Sequence, residues 1–175
     1  MEKLFDAAQK LRMEEKAKVA VTHARIDLMM RADAAAAFFV PLALKLEMVP
    51  AWDLNPPTAC TDGRRMFYNP KYVVEQSRQE ILGLIIEETL HCAFQHFARR
   101  QAREPRRWNF GCDCAILQIV KEAGFDLSQD ALLINFHPML QKWPLKKSAE
   151  FYYTMAPEAA KAMTVWVDRS GVVDA

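Results

Sequence analysis

The feature that most constrains the fold is a continuous apolar segment, residues 80–97, which reads EILGLIIEETLHCAFQHF. On a helical wheel, at about 100° per residue, its apolar side chains point in almost every direction. A helix that is apolar on all sides needs packing partners all round, so the segment predicts a central helix. The chain is therefore expected to build a core around this helix.

The same segment carries polar side chains that a buried helix does not tolerate without compensation. Glu87 and Glu88 are adjacent, and His91 follows Glu87 by one turn, about 40° away on the wheel. Burial of ionised carboxylates costs several kcal/mol each unless a cation or a raised pKa offsets it. The segment thus predicts a metal ion, an arginine such as Arg106 or Arg107, or a protonated carboxyl, and the sequence leaves these three solutions open.

A further carboxylate lies on the apolar side of the next predicted helix. Asp113 shares that side with Asn109. If the two helices pack together, Asp113 joins Glu87 and His91, whose i,i+4 spacing places them on one face, to give three ligands for a metal ion. A fourth position would be open to water, and Glu88 could then serve as the general base.

A rival metal site uses soft ligands. Cys92 and His96 are also four residues apart, and Cys112 and Cys114 follow in the next helix, so a closed structural zinc site is conceivable. It is disfavoured because cysteines two apart on a helix diverge by about 200°. His96 points about 180° away from Glu87 on the wheel, which indicates a packed or hydrogen-bonded core histidine rather than a further ligand.

Capping and turn signals predict the remaining elements. They give a helix at 3–31, a helix at 34–46 capped by Asp33, a hairpin of strands 58–61 and 65–68, a long helix from about Ser77 to 100, a helix at 105–122 closed by Gly124, and two short helices at 147–154 and 157–163. The prediction is one domain over residues 1–175, of the α+β class and mostly helical, with a helical N-terminal segment at 1–31.

Composition excludes several classes of function. Lys plus Arg total 23 against 22 for Asp plus Glu, and this net charge of +1 gives no electrostatic basis for binding nucleic acid or an anionic membrane. No apolar run approaches the ~18 residues that span a bilayer, and the charged N-terminus lacks a signal-peptide core. The four cysteines are then expected to be reduced thiols, which predicts a cytoplasmic protein.

Five motifs occur together in a fixed order: TDGRRMFYNP, EILGLIIEETLHCAFQH, RRWNFGCDCAI, EAGFDL and AEFYY. With them, residues 24–155 resemble the bacterial metallopeptidase domain that precedes a VWA-like domain. The family pattern reads T-D-G, Y-N-P, H-E-x-x-H-x-x-x-x-H and W-N-x-x-x-D. The resemblance implies a zincin-like fold, with a central active-site helix beside a small sheet.

The resemblance also implies roles for individual residues. His91 would be a metal ligand, Glu88 the catalytic base and Asp113 the third ligand of a zinc ion. His96 and Asn109 would be further site residues.

Substrate and partner follow from the same family resemblance. The strand at 65–68 would form the sheet edge above the cleft, where a peptide or protein substrate can add as an extra strand. Family association implies a MoxR-type AAA+ ATPase as a partner. No VWA-like domain follows within the 175 residues, which is expected of a fragment or of a stand-alone version such as a phage encodes.

The sequence departs from the family pattern at Glu87, which stands where the first histidine of H-E-x-x-H is expected. Two carboxylates and one imidazole make a harder site, more tolerant of manganese or other divalent ions. Their charges cancel that of the ion, so a water molecule there is acidified less than in a His-rich zinc site. Two functions stay open: a metal-dependent peptidase with an altered site, or a zincin-like binding or adaptor protein without turnover.

Overall fold

The computed structural model of the chain describes residues 2–55, 57–127 and 140–162. Within these ranges a short 3-10 turn, Leu140–Lys142, precedes the last helix. The other elements are α1 (Glu2–Met30), α2 (Ala34–Ala43), β1 (Glu47–Pro50), β2 (Ala59–Thr61), β3 (Arg65–Tyr68), α3 (Pro70–Glu75), α4 (Arg78–Ala93), α5 (His96–Arg100), α6 (Pro105–Glu122) and α7 (Ala149–Ala162). This mostly helical arrangement with a small sheet is the α+β class that the sequence predicts.

Helix α4 lies at the centre of the fold, as its apolar sequence predicts. Between residues 81 and 91 every side chain except that of Glu87 is buried. The helix contacts α1, α2, β2, α5 and α6, so it has partners on most of its circumference. Polar groups on α4 are therefore held in a largely dry and rigid environment.

Three predicted helix starts are confirmed by their caps. Asp33 accepts a hydrogen bond from the Ala36 amide at 2.8 Å and caps α2. Ser77 and Glu80 form a reciprocal capping box at the start of α4. Pro105 occupies the first turn of α6, where its missing N–H removes no helical hydrogen bond. These caps fix where α4 and α6 begin and hence which residues face each other.

The sheet has the strand order β1-β3-β2. Strands β2 and β3 form the predicted antiparallel hairpin, with Thr61 opposite Met66. The prediction that strand 65–68 is the sheet edge is wrong, because β1 pairs in parallel with the other side of β3. Parallel pairing joins segments distant in sequence and leaves no local signal. The edges are β1 and β2, and β2 lies against α4.

Several predicted helices have other bounds in the structure, and the one at 34–46 ends at Ala43. The long helix from 77 to 100 is broken, because Gln95 adopts a left-handed conformation (φ 53°, ψ 41°) between α4 and α5. The two short helices at 147–154 and 157–163 are one helix, α7, which continues through Pro157 to Ala162; residue 163 lies outside the described residues. A proline removes one helical hydrogen bond but does not have to end a helix that tertiary contacts support.

Helix α6 lies between α4 and α7. Gly111 allows the close approach to α7, since a Cβ at this position would lie 2.7 Å from the Ala149 carbonyl oxygen and 2.9 Å from the Tyr153 amide nitrogen. With one side pressed on α7, α6 presents Asp113 toward α4. Across the described ranges, no helix is both long and apolar enough to cross a bilayer.

Candidate metal centre

Glu87, His91 and Asp113 meet where α4 faces α6. Their potential ligand atoms all lie within 4.8 Å of one another, and His91 Nε2 is 3.2 Å from Asp113 Oδ1. The two α4 residues share a face because they are one turn apart, and the packing of α6 supplies the third. We call these three residues the Glu–His–Asp cluster.

The cluster is buried on one side and open on the other. The His91 side chain is 7% exposed, whereas that of Asp113 is 30% exposed. Glu87 is likewise only partly buried. An ion or a substrate could therefore reach the carboxylates from solvent, while the imidazole is held by the core.

Glu88 is a buried acidic side chain beside the cluster. Burial raises its pKa to about 8, and the charge of Asp113 adds to this increase. The charge of Glu88 also contributes, after burial, to the raised pKa values of the Cys60 and Cys92 thiols. A carboxyl with this environment is a candidate general base or acid near neutral pH.

The pKa of Glu87 is raised as well. Burial is the main cause, followed by the charges of Asp113 and Glu88. Among the described residues that act on the Glu87 pKa, His91 lowers it and no arginine does. Arg107, one of the two arginines considered from the sequence, instead donates to the Tyr153 carbonyl oxygen at 3.2 Å. The carboxylates are thus compensated by protonation or by a cation that binds from solution.

Asn109 supports the cluster from one turn earlier on α6. Its side-chain amide donates to Asp113 Oδ2 at 2.9 Å, and the residue is buried. This bond leaves Asp113 Oδ1 directed at His91. Asn109 therefore orients the aspartate, in the manner of the outer residues around metal ligands.

His96 lies next to His91, contrary to the expectation that it points away from the cluster. The two Nδ1 atoms are 3.3 Å apart, and the rings meet edge to face. The break at Gln95 turns His96 by enough to bring it back toward α4. Sequence reasoning missed this because glutamine seldom adopts positive φ, so no residue type signals the break.

The rival closed site of Cys92, His96, Cys112 and Cys114, which the sequence disfavours, is not assembled. Cys92 Sγ instead lies 3.3 Å from the Thr61 hydroxyl. Within the described ranges, a second compact group consists of His91, His96 and Cys112, all buried. Burial raises the pKa of the Cys112 thiol far above its ordinary value, so the thiol is neutral in the absence of a metal.

The chemistry of the Glu–His–Asp cluster fits a divalent cation. Carboxylate oxygen and imidazole nitrogen are ordinary ligands of zinc and manganese, and the three groups come from two rigid helices. A dication would also offset the like charges of Glu87, Glu88 and Asp113, whose mutual repulsion contributes to the raised pKa values. Three protein ligands leave room for further ligands from solvent.

The stability of the ion-free protein is expected to fall as pH rises. Glu88 titrates near 8 in the fold and near 4.5 when unfolded, so between these values the folded state binds more protons than the unfolded state. The carboxyl therefore stabilises the fold at low pH, and this contribution is lost as pH rises through about 8. In a chelator, we expect the melting temperature to drop by roughly 10 °C between about pH 5 and pH 9.

Thermal scans of wild type and Glu88→Gln check this expectation. The variant cannot ionise at position 88, so its melting temperature should depend less on pH than that of wild type. Adding a divalent ion should restore stability most at high pH, because ligands bind metals in their deprotonated form. A wild-type melting temperature that rises across this interval in chelator would contradict the burial of these carboxyls.

The chain is similar to one described family and to a bacterial protein. Residues 17–167 match the family described as “Putative metallopeptidase domain”. A 130-residue stretch is 25% identical to an uncharacterized protein of Thermotoga maritima, covering 66% of this chain and 33% of that protein. The chain thus spans about a third of the length of this relative. No solved structure matches the chain.

Proposed function

The chain belongs to this family of metallopeptidase domains, and on that premise we propose that it is a metal-dependent peptidase of the zincin-like type. The observation that carries the proposal is the convergence of Glu87, His91 and Asp113 within 4.8 Å, at the end of a central helix that also bears Glu88. The Glu–His–Asp cluster would hold zinc, manganese or another divalent ion. Glu88 would be the general base.

The residues suggest how peptide hydrolysis would proceed. A bound divalent ion would supply a Lewis acid for the scissile carbonyl and a positive charge that favours the ionised form of Glu88. Glu88 would accept a proton from the water that attacks the carbonyl carbon. It would then donate this proton to the departing amine, so that the carboxylate is regenerated. Asn109 would keep Asp113 in place throughout.

The altered ligand at position 87 affects the expected pH dependence. Glu87 and Asp113 bring two negative charges to the ion, compared with one or none in His-rich sites. The attacking water should then be less acidic, so activity should increase toward alkaline pH. A carboxylate-rich cluster also accepts manganese more readily than a site of three imidazoles does.

A second function is favoured by a specific observation at the same cluster. Burial raises the pKa of Glu87 and that of Glu88 to about 8, so without an ion both carboxyls are largely protonated at neutral pH and their burial requires no metal. The chain would then be a binding or adaptor module that keeps the fold and lacks turnover. Metal content separates the two functions.

Metal analysis of protein purified without chelator or metal-affinity resin tests the proposal. We expect about one equivalent of zinc or manganese in wild type and less than about 0.1 equivalent in Asp113→Ala, because loss of one ligand of three weakens binding by orders of magnitude. Asp53→Ala, at an exposed aspartate, is the matched control and should keep the metal. A wild-type protein that contains no metal and takes up none on dialysis against several ions would favour the binding module.

A further inference from the structure

The His91 ring has a different partner on each nitrogen. Nε2 lies 3.2 Å from Asp113 Oδ1, on the side of the Glu–His–Asp cluster. Nδ1 lies 3.3 Å from Nδ1 of His96, on the side of the core. A neutral imidazole carries one proton, so the partner on one side decides which nitrogen is free on the other.

The 3.3 Å between the two Nδ1 atoms is a hydrogen-bond distance, and such a bond has one proton between the nitrogens. If His96 donates this proton, His91 carries its own proton on Nε2 and donates it to Asp113. If His91 donates it, the His91 lone pair is on Nε2 and faces Glu87 and Asp113. Only the second arrangement leaves Nε2 able to bind an ion.

We propose that His96 is a positioning residue that accepts the Nδ1–H of His91 and thereby directs the His91 lone pair at the Glu–His–Asp cluster. This inference rests on the proposed function, because it concerns the ligand form of His91. On ion binding, His91 releases the Nε2 proton that it had donated to Asp113. The proton between the rings moves from His96 to His91, and His96 takes one proton from solvent at its Nε2, so the number of protons on the two rings is unchanged.

The surroundings of His96 are suited to a fixed acceptor. The residue is 1% exposed, and its carbonyl oxygen accepts a hydrogen bond from the buried Trp108 indole at 2.7 Å. The ring also packs edge to face on Trp108. The residue also lines a cavity of about 380 Å³ between α5, α6 and the start of α7.

The charge around the cluster explains why the group that accepts the His91 Nδ1–H is a neutral imidazole and not a carboxylate. Metal-bound histidines usually donate their second N–H to a carboxylate or a carbonyl oxygen. Glu87, Glu88 and Asp113 already place three acidic groups around the ion position. A fourth carboxylate behind His91 would add to their repulsion, whereas a neutral His96 orients the ring without a further charge.

A second possible metal site shares His91 with the Glu–His–Asp cluster. His91, His96 and Cys112 also lie within 4.8 Å of one another and could bind an ion directly. Such an ion would take Nδ1 of His91 and the Cys112 sulfur, leaving Glu87 and Asp113 aside. The two arrangements differ in which His91 nitrogen is bound to metal.

Imidazole ¹⁵N chemical shifts of the histidine-labelled wild-type protein, with and without zinc, test the proposal. We expect zinc on Nε2 of His91, a proton on its Nδ1, and the reverse His91 tautomer in chelator. Zinc on Nδ1 of His91 would overturn the proposal. So would a thiolate-to-cobalt absorption band of the cobalt-substituted protein that is lost in Cys112→Ser. Because this measurement needs no variant at position 96, a folding defect cannot obscure it.

Two variants add an affinity measurement by chelator competition. His96→Leu fills the space without an acceptor and should weaken zinc binding by about 10- to 100-fold. His96→Asn, whose Oδ1 can take the place of Nδ1, should keep the affinity within about threefold of wild type. Equal affinities for wild type and His96→Leu would overturn the role of His96 while leaving the proposed function intact. A wild-type protein that binds no zinc would instead overturn the proposed function and this inference with it.

Discussion

Glu88→Gln is expected to lower the rate of peptide cleavage by about 100- to 10,000-fold while the bound metal stays in place. Glutamine has nearly the same shape as glutamate but cannot accept the proton of the attacking water. Glu88 is not among the three residues of the Glu–His–Asp cluster, so ion binding does not need its charge. The loss should therefore appear in kcat and leave the metal content near that of wild type.

Digestion of a peptide library, followed by mass spectrometry, measures this effect without knowledge of the preferred sequence. Glu75→Gln is the matched control, since Glu75 is exposed at the end of α3. The Glu75→Gln variant should cleave peptides at the wild-type rate. Cleavage that is undiminished in Glu88→Gln would exclude the role of general base for Glu88, and loss of metal in this variant would show that Glu88 is a ligand.

Glu87→His is expected to strengthen zinc binding by about 10- to 100-fold and to raise cleavage at pH 7 by at least about tenfold. The change turns residues 87–91 into H-E-T-L-H, the spacing of helical zinc peptidases. One negative charge beside the ion is removed and a nitrogen ligand is gained. Both effects make the attacking water more acidic, so the rise in activity should begin at lower pH than in wild type.

Glu87→Gln separates the two contributions, because it removes the same charge and supplies only a weak amide ligand. Its zinc affinity should fall by at least about tenfold below that of wild type. Zinc competition assays and pH–rate profiles of the three proteins provide the comparison. If all three bind zinc equally, the side chain at position 87 does not contact the ion.

Some parts of the fold can be read from short stretches of sequence, because their causes are local. Asp33, Ser77 and Pro105 carry the capping chemistry that starts three helices, and Gly63 occupies the hairpin turn at a positive φ of 90°. The apolar circumference of residues 81–91 requires a central position. Because residues four apart in a helix lie one turn apart, Glu87 and His91 necessarily share a face.

From the sequence, Asp113 was expected to approach Glu87 and His91 only if the two helices pack against each other. Its place on the apolar side of α6 indicated that it faces another helix, and only the family resemblance suggested that this helix is α4. Gly111 explains the result, since it lets α6 press on α7 and leaves the opposite side for α4. The ion-binding roles of Glu87, His91 and Asp113 stay predictions.

The sequence by itself determined the central helix, its buried acidic groups and the class of chemistry that such groups favour, because periodicity and burial act along one segment. Only the tertiary structure decided that β3 is the middle strand and that His96 returns to His91. The first depends on a parallel pairing between distant segments. The second depends on a left-handed Gln95, a conformation that costs about 1–2 kcal/mol and that tertiary contacts, such as the Trp108 hydrogen bond to the His96 carbonyl oxygen, must support, because glutamine itself does not favour it.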